Sequence, residues 1–236
     1  MKQFGAVWLK EMRQYFAAPI AFTLMAAFWA ASGYLTAFNV YFVHTARMVT
    51  AFHNMSLLLL LIMPILTMRM FAEEQRAGTL EFLLALPLAE WQIVAGKYCA
   101  GLVILLIMLI GSATAVIPLA LYGSPDYGAI VGGYVGIFLL GAAFMAIGLF
   151  VSSLSDNQIV AAVITWGVLL LLWFADYGAA LDLGSGLSQT IRHLSFSLHY
   201  TDIIRGVIDR TTVIYFTSII AGMVALAILR LKMRNP

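Results

Sequence analysis

The sequence predicts an all-α polytopic membrane protein with six transmembrane helices, and three observations support this fold class. Of its 236 residues, 63% are hydrophobic and only 10% are charged, whereas about a quarter of a soluble domain is charged. Six uncharged runs are each long enough for the roughly 20 helical residues that cross a bilayer. Because lipid offers no hydrogen-bond partners to exposed backbone groups, these runs must be helical. We therefore expect a single membrane domain over residues 1–236.

The N-terminal segment 2–16 has the pattern of an amphipathic helix. Its apolar residues recur at intervals of three or four positions, and they are Phe4, Val7, Trp8, Met12, Tyr15 and Phe16. Its charged residues lie off that stripe, and they are Lys2, Lys10, Glu11 and Arg13. Such a helix is suited to the membrane interface. Pro19 then predicts a break before the first span.

The six predicted spans cover residues 19–42, 48–70, 94–122, 128–152, 157–175 and 211–230. The fourth is rich in small residues, and Gly132 and Gly136 have the spacing that lets helices approach closely. We expect this surface to pack within the chain, with a subunit interface as the alternative. Residues 176–210 form a predicted external loop, in which helical spacing over 199–209 indicates an interfacial or re-entrant helix.

The distribution of lysine and arginine predicts that both termini are cytoplasmic. With the N-terminus inside, the inner segments contain nine basic residues: Lys2, Lys10, Arg13, Arg69, Arg76, Lys97, Arg230, Lys232 and Arg234. The outer segments contain four: Arg47, Arg192, Arg205 and Arg210. Cytoplasmic loops of membrane proteins carry the excess of basic residues. The connection between spans two and three, 71–90, is then cytoplasmic as well.

That connection concentrates charge in an otherwise apolar chain. Residues 73–88 read EEQRAGTLEFLLALPL, with Glu73, Glu74 and Glu81 among leucines at helical spacing. We predict an amphipathic helix that Pro87 terminates. A solvated connecting helix would account for the leucines. A docking surface for a soluble partner also accounts for glutamates where basic residues normally dominate.

The sequence lacks the motifs of the common catalytic and metal sites. It has no GxxxxGK[ST] phosphate-binding loop and no HExxH motif. A hydrolytic triad of Ser195, His199 and Asp202 can be written down, but no nucleophile elbow accompanies it. The twelve methionines are scattered through the spans as packing residues rather than as a copper path. A single cysteine excludes an internal disulfide, and a net charge of +2 does not indicate nucleic acid. We expect no catalytic residue, metal or cofactor in this chain.

The predicted spans carry almost no acidic or basic residues, although ion-coupled transporters usually place such groups within the bilayer. If the protein moves a substrate, the energy is therefore expected to come from a partner.

Three stretches carry a resemblance to a known family. They are EEQRAGTLEFLLALPL at 73–88, GLFVSSLSDNQIVAAV at 148–163 and LHYTDIIRGVIDRTTVIYF at 198–216. The chain resembles the permease subunits of ABC-2 type ATP-binding-cassette exporters over essentially its whole length. Within that superfamily it is similar to the permeases of gliding-motility and nitrous-oxide-reductase maturation systems.

This resemblance implies a partner ATPase and the residues that contact it. Such permeases dimerise, usually with a second copy of themselves, and bind two cytoplasmic ATPase subunits, which hold the ATP and Mg²⁺. Segment 2–16 would be the connecting helix, and 71–90 would contain the coupling helix. The implied contact residues are Glu73, Glu74, Arg76, Thr79, Leu80, Glu81, Asp156 and Asn157.

The resemblance also implies a substrate path between two protomers, lined by spans two and five. The corresponding residues are Met55, Leu59, Met63, Thr67, Thr165, Trp166 and Leu169. This weakly polar lining favours a lipid, a lipid-linked molecule or an amphipathic compound over a small ion. The implied location is the bacterial cytoplasmic (inner) membrane, in contact with the lipid bilayer and, in some systems, an accessory envelope protein.

We therefore expect a permease domain that couples ATP hydrolysis by a partner to substrate movement. The alternative is a membrane scaffold that uses ATPase motion to regulate or extract an envelope partner without transport. An intramembrane hydrolase is a third class, which would need the catalytic dyad that the sequence does not show.

Overall fold

A computed structural model of the chain describes residues 2–42, 48–117, 127–179, 195–204 and 209–234. Within these ranges the chain forms helices and no strand. The α-helices, numbered in chain order, are α1 (Lys2–Ala17), α2 (Pro19–Tyr41), α3 (Met48–Thr67), α4 (Arg69–Arg76), α5 (Thr79–Leu84), α6 (Glu90–Ser112), α7 (Tyr127–Leu154), α8 (Gln158–Ala179), α9 (Phe196–Ile204) and α10 (Arg210–Arg234). The all-α fold class is thereby confirmed.

Six helical segments of the described chain are long and apolar enough to span a membrane, as the sequence predicted. Five of them are α2, α6, α7, α8 and α10, and the sixth runs through α3 into α4. The end of the predicted third span, 118–122, and most of the predicted external loop lie outside the described residues. Pro19 occupies the first turn of α2, after Ala18 in an extended conformation, where its missing N–H costs no helical hydrogen bond.

Helix α7 is the central element of the bundle. It packs against α3, α6, α8, α9 and α10, and its glycines allow these close approaches. A Cβ on Gly133 would lie 2.0 Å from the Phe52 ring, and one on Gly148 would lie 2.1 Å from Thr67 Oγ1. Gly136 faces Ile203 of α9 in the same way. The small residues of the fourth span thus serve packing within the chain, as expected.

Helix α9 lies among the spanning helices, although it is too short to span a bilayer itself. It packs against α3, α7, α8 and α10, with the side chains of Phe196 and Tyr200 buried. The Tyr200 hydroxyl donates to the backbone oxygen of Phe52 at 2.8 Å, and Phe196 stacks on Phe216 at 5.8 Å. The predicted helix over 199–209 therefore begins earlier, at Phe196.

Both described chain ends lie at the same end of the bundle. Helix α1 packs along the N-terminal part of α6, where Lys97 of α6 donates a hydrogen bond to Glu11 of α1. Arg234, the last residue of α10, reaches Gln75 of α4. We call this the basic end of the bundle, and it comprises α1, α4, α5, the start of α6 and the ends of α7 and α10.

Candidate functional site

The junction between α3 and α4 is held by a serine from another helix. The Ser152 hydroxyl, near the end of α7, accepts hydrogen bonds from the backbone N–H groups of Phe71 and Ala72 at 3.0 and 3.1 Å. It donates to the backbone oxygen of Met68 at 3.0 Å. The first N–H groups of a helix have no partner within it, and α4 has no side-chain cap at Met68. Ser152 therefore supplies that cap from α7.

Gln75 extends the connection between α4 and the end of α7. Its side-chain amide donates to the backbone oxygens of Ser152 and Ser153 at 3.4 and 3.1 Å. Its Oε1 accepts a hydrogen bond from Arg234 at 2.8 Å. Helix α4 is thus bonded to the ends of both α7 and α10.

Four charged side chains join α1, α4 and α6, and we call them the ion cluster: Lys10, Glu11, Glu74 and Lys97. Glu11, Glu74 and Lys97 are buried, and Lys10 is partly exposed. Lys97 Nζ lies 2.9 Å from Glu11 Oε1 and 3.0 Å from Glu74 Oε2. Lys10 Nζ lies 2.5 Å from Glu74 Oε1 and 3.4 Å from Glu11 Oε1. Lys97 is only 1% exposed, and its ammonium lies 5.2 Å from the centre of the Phe71 ring.

The ion cluster is electrically balanced, with two positive and two negative side chains. Isolated buried charges are costly, and removing one member of a buried pair typically destabilises a protein by about 3–5 kcal/mol. Burial alone would lower the pKa of the Lys10 ammonium. Its hydrogen bond to Glu74 and the attraction of the Glu74 and Glu11 carboxylates outweigh this effect, so the pKa of Lys10 is above its ordinary value. The cluster therefore holds the amphipathic helix α1 against α4 and α6 through contacts between opposite charges.

A left-handed glycine separates α4 from α5. Gly78 has a φ of 68°, a conformation that costs other residues roughly 1–2 kcal/mol. The Thr79 hydroxyl donates to the backbone oxygen of Glu74 across this turn at 3.3 Å. Leu80 and Leu83 are buried and anchor α5, whereas the Phe82 ring is 77% exposed. The single helix predicted within 71–90 is thus two short helices, and the second presents an exposed aromatic ring.

The turn between α7 and α8 lies at the same end. Asn157 caps α8, because its Oδ1 accepts a hydrogen bond from the backbone N–H of Ile159 at 2.9 Å. The Ser155 hydroxyl exchanges hydrogen bonds with the backbone of Asn157. The Asp156 side chain is 73% exposed and lies 4.0 Å from Arg234. The turn is thus ordered by its own side chains and presents a carboxylate at the surface.

The predicted ATPase contacts divide into an exposed and an internal group. Five are exposed at the basic end: Arg76, Thr79, Glu81, Asp156 and Asn157. Glu73 is partly exposed and forms a two-bond ion pair with Arg69, at 2.7 and 2.9 Å. Glu74 and Leu80 are buried. A surface contact through these last two residues is therefore incompatible with this structure, because the ion cluster and the core already occupy them.

The residues predicted to line a substrate path lie mostly in the interior of the chain. Six of the seven have no exposed surface: Met55, Leu59, Met63, Thr67, Thr165 and Leu169. The hydroxyls of Thr67 and Thr165 donate to backbone oxygens of their own helices. Trp166 alone of the seven keeps some exposure, and its Nε1 donates to the Leu61 backbone oxygen at 3.0 Å. In this conformation the six buried residues pack helices together rather than face a second chain.

Sequence inspection missed Ser152, the burial of Glu11 and Lys97, and the exposure of Phe82. Glu11 lies off the apolar stripe of its helix in the sequence, but it is only 4% exposed. The available signal was the pairing of charges: Lys97 opens an apolar run close to a segment with excess glutamate. Among the described residues, no group of His, Cys, Asp and Glu has the arrangement of a metal site.

The fold and this end of the bundle define a polytopic helical membrane protein with an ordered amphipathic surface beside its spans. The family model described as "ABC-2 family transporter protein" matches residues 11–232. The chain therefore belongs to the ABC-2 family of transporter membrane proteins. No curated protein sequence matches it.

Proposed function

We propose that this chain is the membrane-spanning permease subunit of an ATP-binding-cassette exporter in the bacterial inner membrane. Two cytoplasmic ATPase subunits would supply the ATP and Mg²⁺ site, and a second copy of the chain would complete the complex. Family membership supports a permease role in such a system. The partner, the copy numbers and the direction of transport are part of the proposal.

The observation that carries this proposal is the bonding of an exposed surface to the spanning helices. The docking surface, as we define it, comprises Arg76, Thr79, Glu81, Phe82 and Asp156. Helix α4, which contributes Arg76 and leads into α5, is bonded to α7 through Ser152 and to α10 through Gln75. The ion cluster ties α4 to α1 and α6 as well. A displacement of α4 by a partner would therefore reach four other helices through direct polar contacts.

Phe82 and Glu81 are expected to make the principal contacts of the docking surface. An exposed aromatic ring on a short surface helix is the kind of side chain that dominates binding energy at interfaces. Glu81 lies next to it and is exposed, so a basic group on the ATPase would complement it. Substrate movement would occur along exposed faces of α3 and α8, such as the stripe of Val49, His53, Leu57 and Leu61, rather than through the buried residues first expected.

The test uses the chain purified from its native membrane with its associated ATPase. We expect no ATP hydrolysis from the chain alone, and hydrolysis from the complex. Glu81→Arg and Phe82→Ala should each weaken ATPase binding about tenfold or more, equivalent to about 1.4 kcal/mol. Both positions are exposed, so the variants should insert and fold as the wild type does.

The matched control is Asp209→Arg, a charge reversal that is also at an exposed position but at the opposite end of the bundle. It should leave ATPase binding unchanged. Unaltered binding in Glu81→Arg and Phe82→Ala alike would refute the docking surface. ATP-dependent movement of a co-purified substrate in reconstituted vesicles would separate a transporter from a scaffold.

A further inference from the structure

A cleft of about 330 Å³ opens beside the corner between α1 and α2, and the proposed permease function does not use it. It lies between the end of α1, the first turns of α2, the last turn of α3 and the outer face of α4. Ala17, Ala18 and Ala21 leave the space at this corner, because their side chains are single methyl groups. The volume is within the range of about 300–1,000 Å³ found for ligand sites.

The lining of the cleft changes from charged to apolar across its walls. The polar part comprises Glu11, Gln14, Tyr15, Arg69 and Glu73, from α1 and α4. The apolar part comprises Ile20, Leu24, Ile65, Leu66 and Met70, mostly from the first turns of α2 and the end of α3. The cleft therefore straddles the boundary where the spans meet the polar surface. A ligand of matching shape has a charged head and a hydrocarbon tail.

Arg69 and Glu73 indicate which charges the head of such a ligand would carry. Their ion pair uses the Nε–H and one Nη2–H of the guanidinium, which has five N–H donors in all. Three N–H groups of Arg69 thus remain beyond those that Glu73 engages, and Arg is well suited to a phosphate. Each Glu73 oxygen accepts one of these bonds, so the carboxylate keeps further acceptor sites. Both side chains are partly exposed, at 33% and 45%.

The other ionised group of the lining does not change this balance. Glu11 is paired with Lys97 and Lys10 in the ion cluster, so its charge is compensated within the protein. Burial, and then the nearby Glu11 carboxylate, raise the pKa of Tyr15, so its phenol stays a neutral hydrogen-bonding group. What faces the cleft is therefore one cation and one anion side by side. An anionic head would meet Glu73 unfavourably, whereas a zwitterionic head satisfies both groups.

We propose that this cleft binds one phospholipid of the adjacent leaflet whose headgroup carries both a phosphate and a primary ammonium, as in phosphatidylethanolamine. The phosphate contacts Arg69, and the ammonium donates to Glu73. The acyl chains leave along Ile20 and Leu24 of α2. Because Arg69 and Glu73 lie on α4, the occupied site buttresses that helix on the side away from Ser152.

The experiment titrates the full-length purified chain in detergent with lipid and measures binding by native mass spectrometry. The probes are the dioleoyl forms of phosphatidylethanolamine, phosphatidylcholine and phosphatidylglycerol. Phosphatidylcholine has no ammonium N–H, and phosphatidylglycerol has no ammonium at all. We expect phosphatidylethanolamine to bind about tenfold more tightly than either, the contribution of a charged hydrogen bond.

Two substitutions divide the two halves of the site. Glu73→Gln should remove the preference for phosphatidylethanolamine over phosphatidylcholine while leaving phosphate binding. Arg69→Gln should weaken all three lipids. Arg13→Gln, an exposed position on α1 outside the lining, is the matched control and should change nothing. Ala17→Phe, which fills the cleft without altering charge, should weaken all three lipids and guards against indirect effects of the charge changes.

Several outcomes would overturn the proposal. Equal binding of the three lipids by the wild type would show a nonselective lipid contact. A preference for phosphatidylglycerol would contradict the pairing of the ammonium with Glu73. Competition by soluble O-phosphoethanolamine as strong as that of the lipid would indicate a soluble ligand instead. Because the assay needs no ATPase, failure of the proposed function would not affect its result.

Discussion

At the scale of single residues, the glutamates of 73–88 have different roles that their sequence does not distinguish. Glu73 pairs with Arg69 one turn earlier, and Glu74 is enclosed by Lys10 and Lys97. Glu81 is exposed, whereas Glu73 is only partly exposed and Glu74 is buried. The excess of acidic residues suggested a docking surface, but two of these three carboxylates are paired with basic side chains of the same chain. What remains for a partner is smaller, and it includes the Phe82 ring.

The burial of Glu74 gives a prediction about stability. Glu74→Arg would place a third positive charge beside Lys10 and Lys97 and leave both without this carboxylate. Breaking a buried ion pair typically costs about 3–5 kcal/mol, so we expect a large loss of folded protein. Thermal unfolding of the purified chain, followed by tryptophan fluorescence and by size-exclusion elution, measures this effect.

Glu81→Arg is the control for that experiment, because the same charge reversal falls on an exposed side chain of the same segment. Its effect on the free energy of unfolding should stay within about 0.5 kcal/mol. If Glu74→Arg unfolds at the same temperature as Glu81→Arg, the ion cluster does not stabilise the fold.

The sequence could not predict the ion cluster, because burial on α1 depends on its neighbours. The apolar stripe of that helix was identified from spacing, and Glu11 falls beside it. Helix α1 lies along α6, however, where Val7 sits so close to Gly96 that a Cβ there would be 2.8 Å from Val7 Cγ1. This contact turns Glu11 inward, toward Lys97. Only the pairing of the two helices reveals it.

At the scale of elements, local signals predicted where helices end, but not what caps them. Pro19 and Pro87 mark boundaries that the structure contains. Gly78 is also visible in the sequence, yet a single helix was predicted across it, because one glycine within a helical pattern is ambiguous. The cap of α4 comes from Ser152, 81 positions from Phe71. No local pattern encodes a partner at that separation.

Ser152→Ala tests this remote cap. The substitution leaves the N–H groups of Phe71 and Ala72 and the oxygen of Met68 without their common partner. Buried groups left unpaired cost about 1–3 kcal/mol, so we expect a lower unfolding temperature. Hydrogen exchange measured by mass spectrometry should show the loss of protection concentrated in 69–76.

The neighbouring Ser153→Ala provides the comparison. The Ser153 hydroxyl donates only within its own helix, to the Phe150 oxygen at 2.6 Å, and its loss should be mild. Equal exchange in 69–76 for the two variants would show that Ser152 does not hold α4.

At the scale of the whole molecule, the number of spans was predictable because the bilayer itself sets their length and composition. The arrangement of the spans around α7 was not, since all six are predominantly apolar and their sequences do not show which helices pack against each other. For the same reason, the sequence could not show that most of the residues predicted to line a substrate path are buried within the chain. The family resemblance implied residues of α3 and α8, but which face of a helix is exposed depends on its neighbours, and α3 turns Met55, Leu59 and Met63 inward.

The side of the membrane on which the basic end lies is the remaining prediction, and both proposals depend on it in different ways. Docking of a soluble ATPase requires the basic end to be cytoplasmic, as nine inner against four outer basic residues indicate. The experiment starts from a variant in which Cys99 is replaced by alanine. Into it, Ala77→Cys and Asp156→Cys are introduced separately, and each places one thiol at an exposed position of the basic end. Asp209→Cys places one at the opposite end. An impermeant thiol reagent applied to intact cells should label only the last. All three should react once the membrane is permeabilised, which shows that the thiols are accessible. Labelling of Ala77→Cys in intact cells would reverse the orientation and exclude a cytoplasmic ATPase at this surface. The phospholipid site would then face the outer leaflet, with its selectivity for the headgroup unchanged.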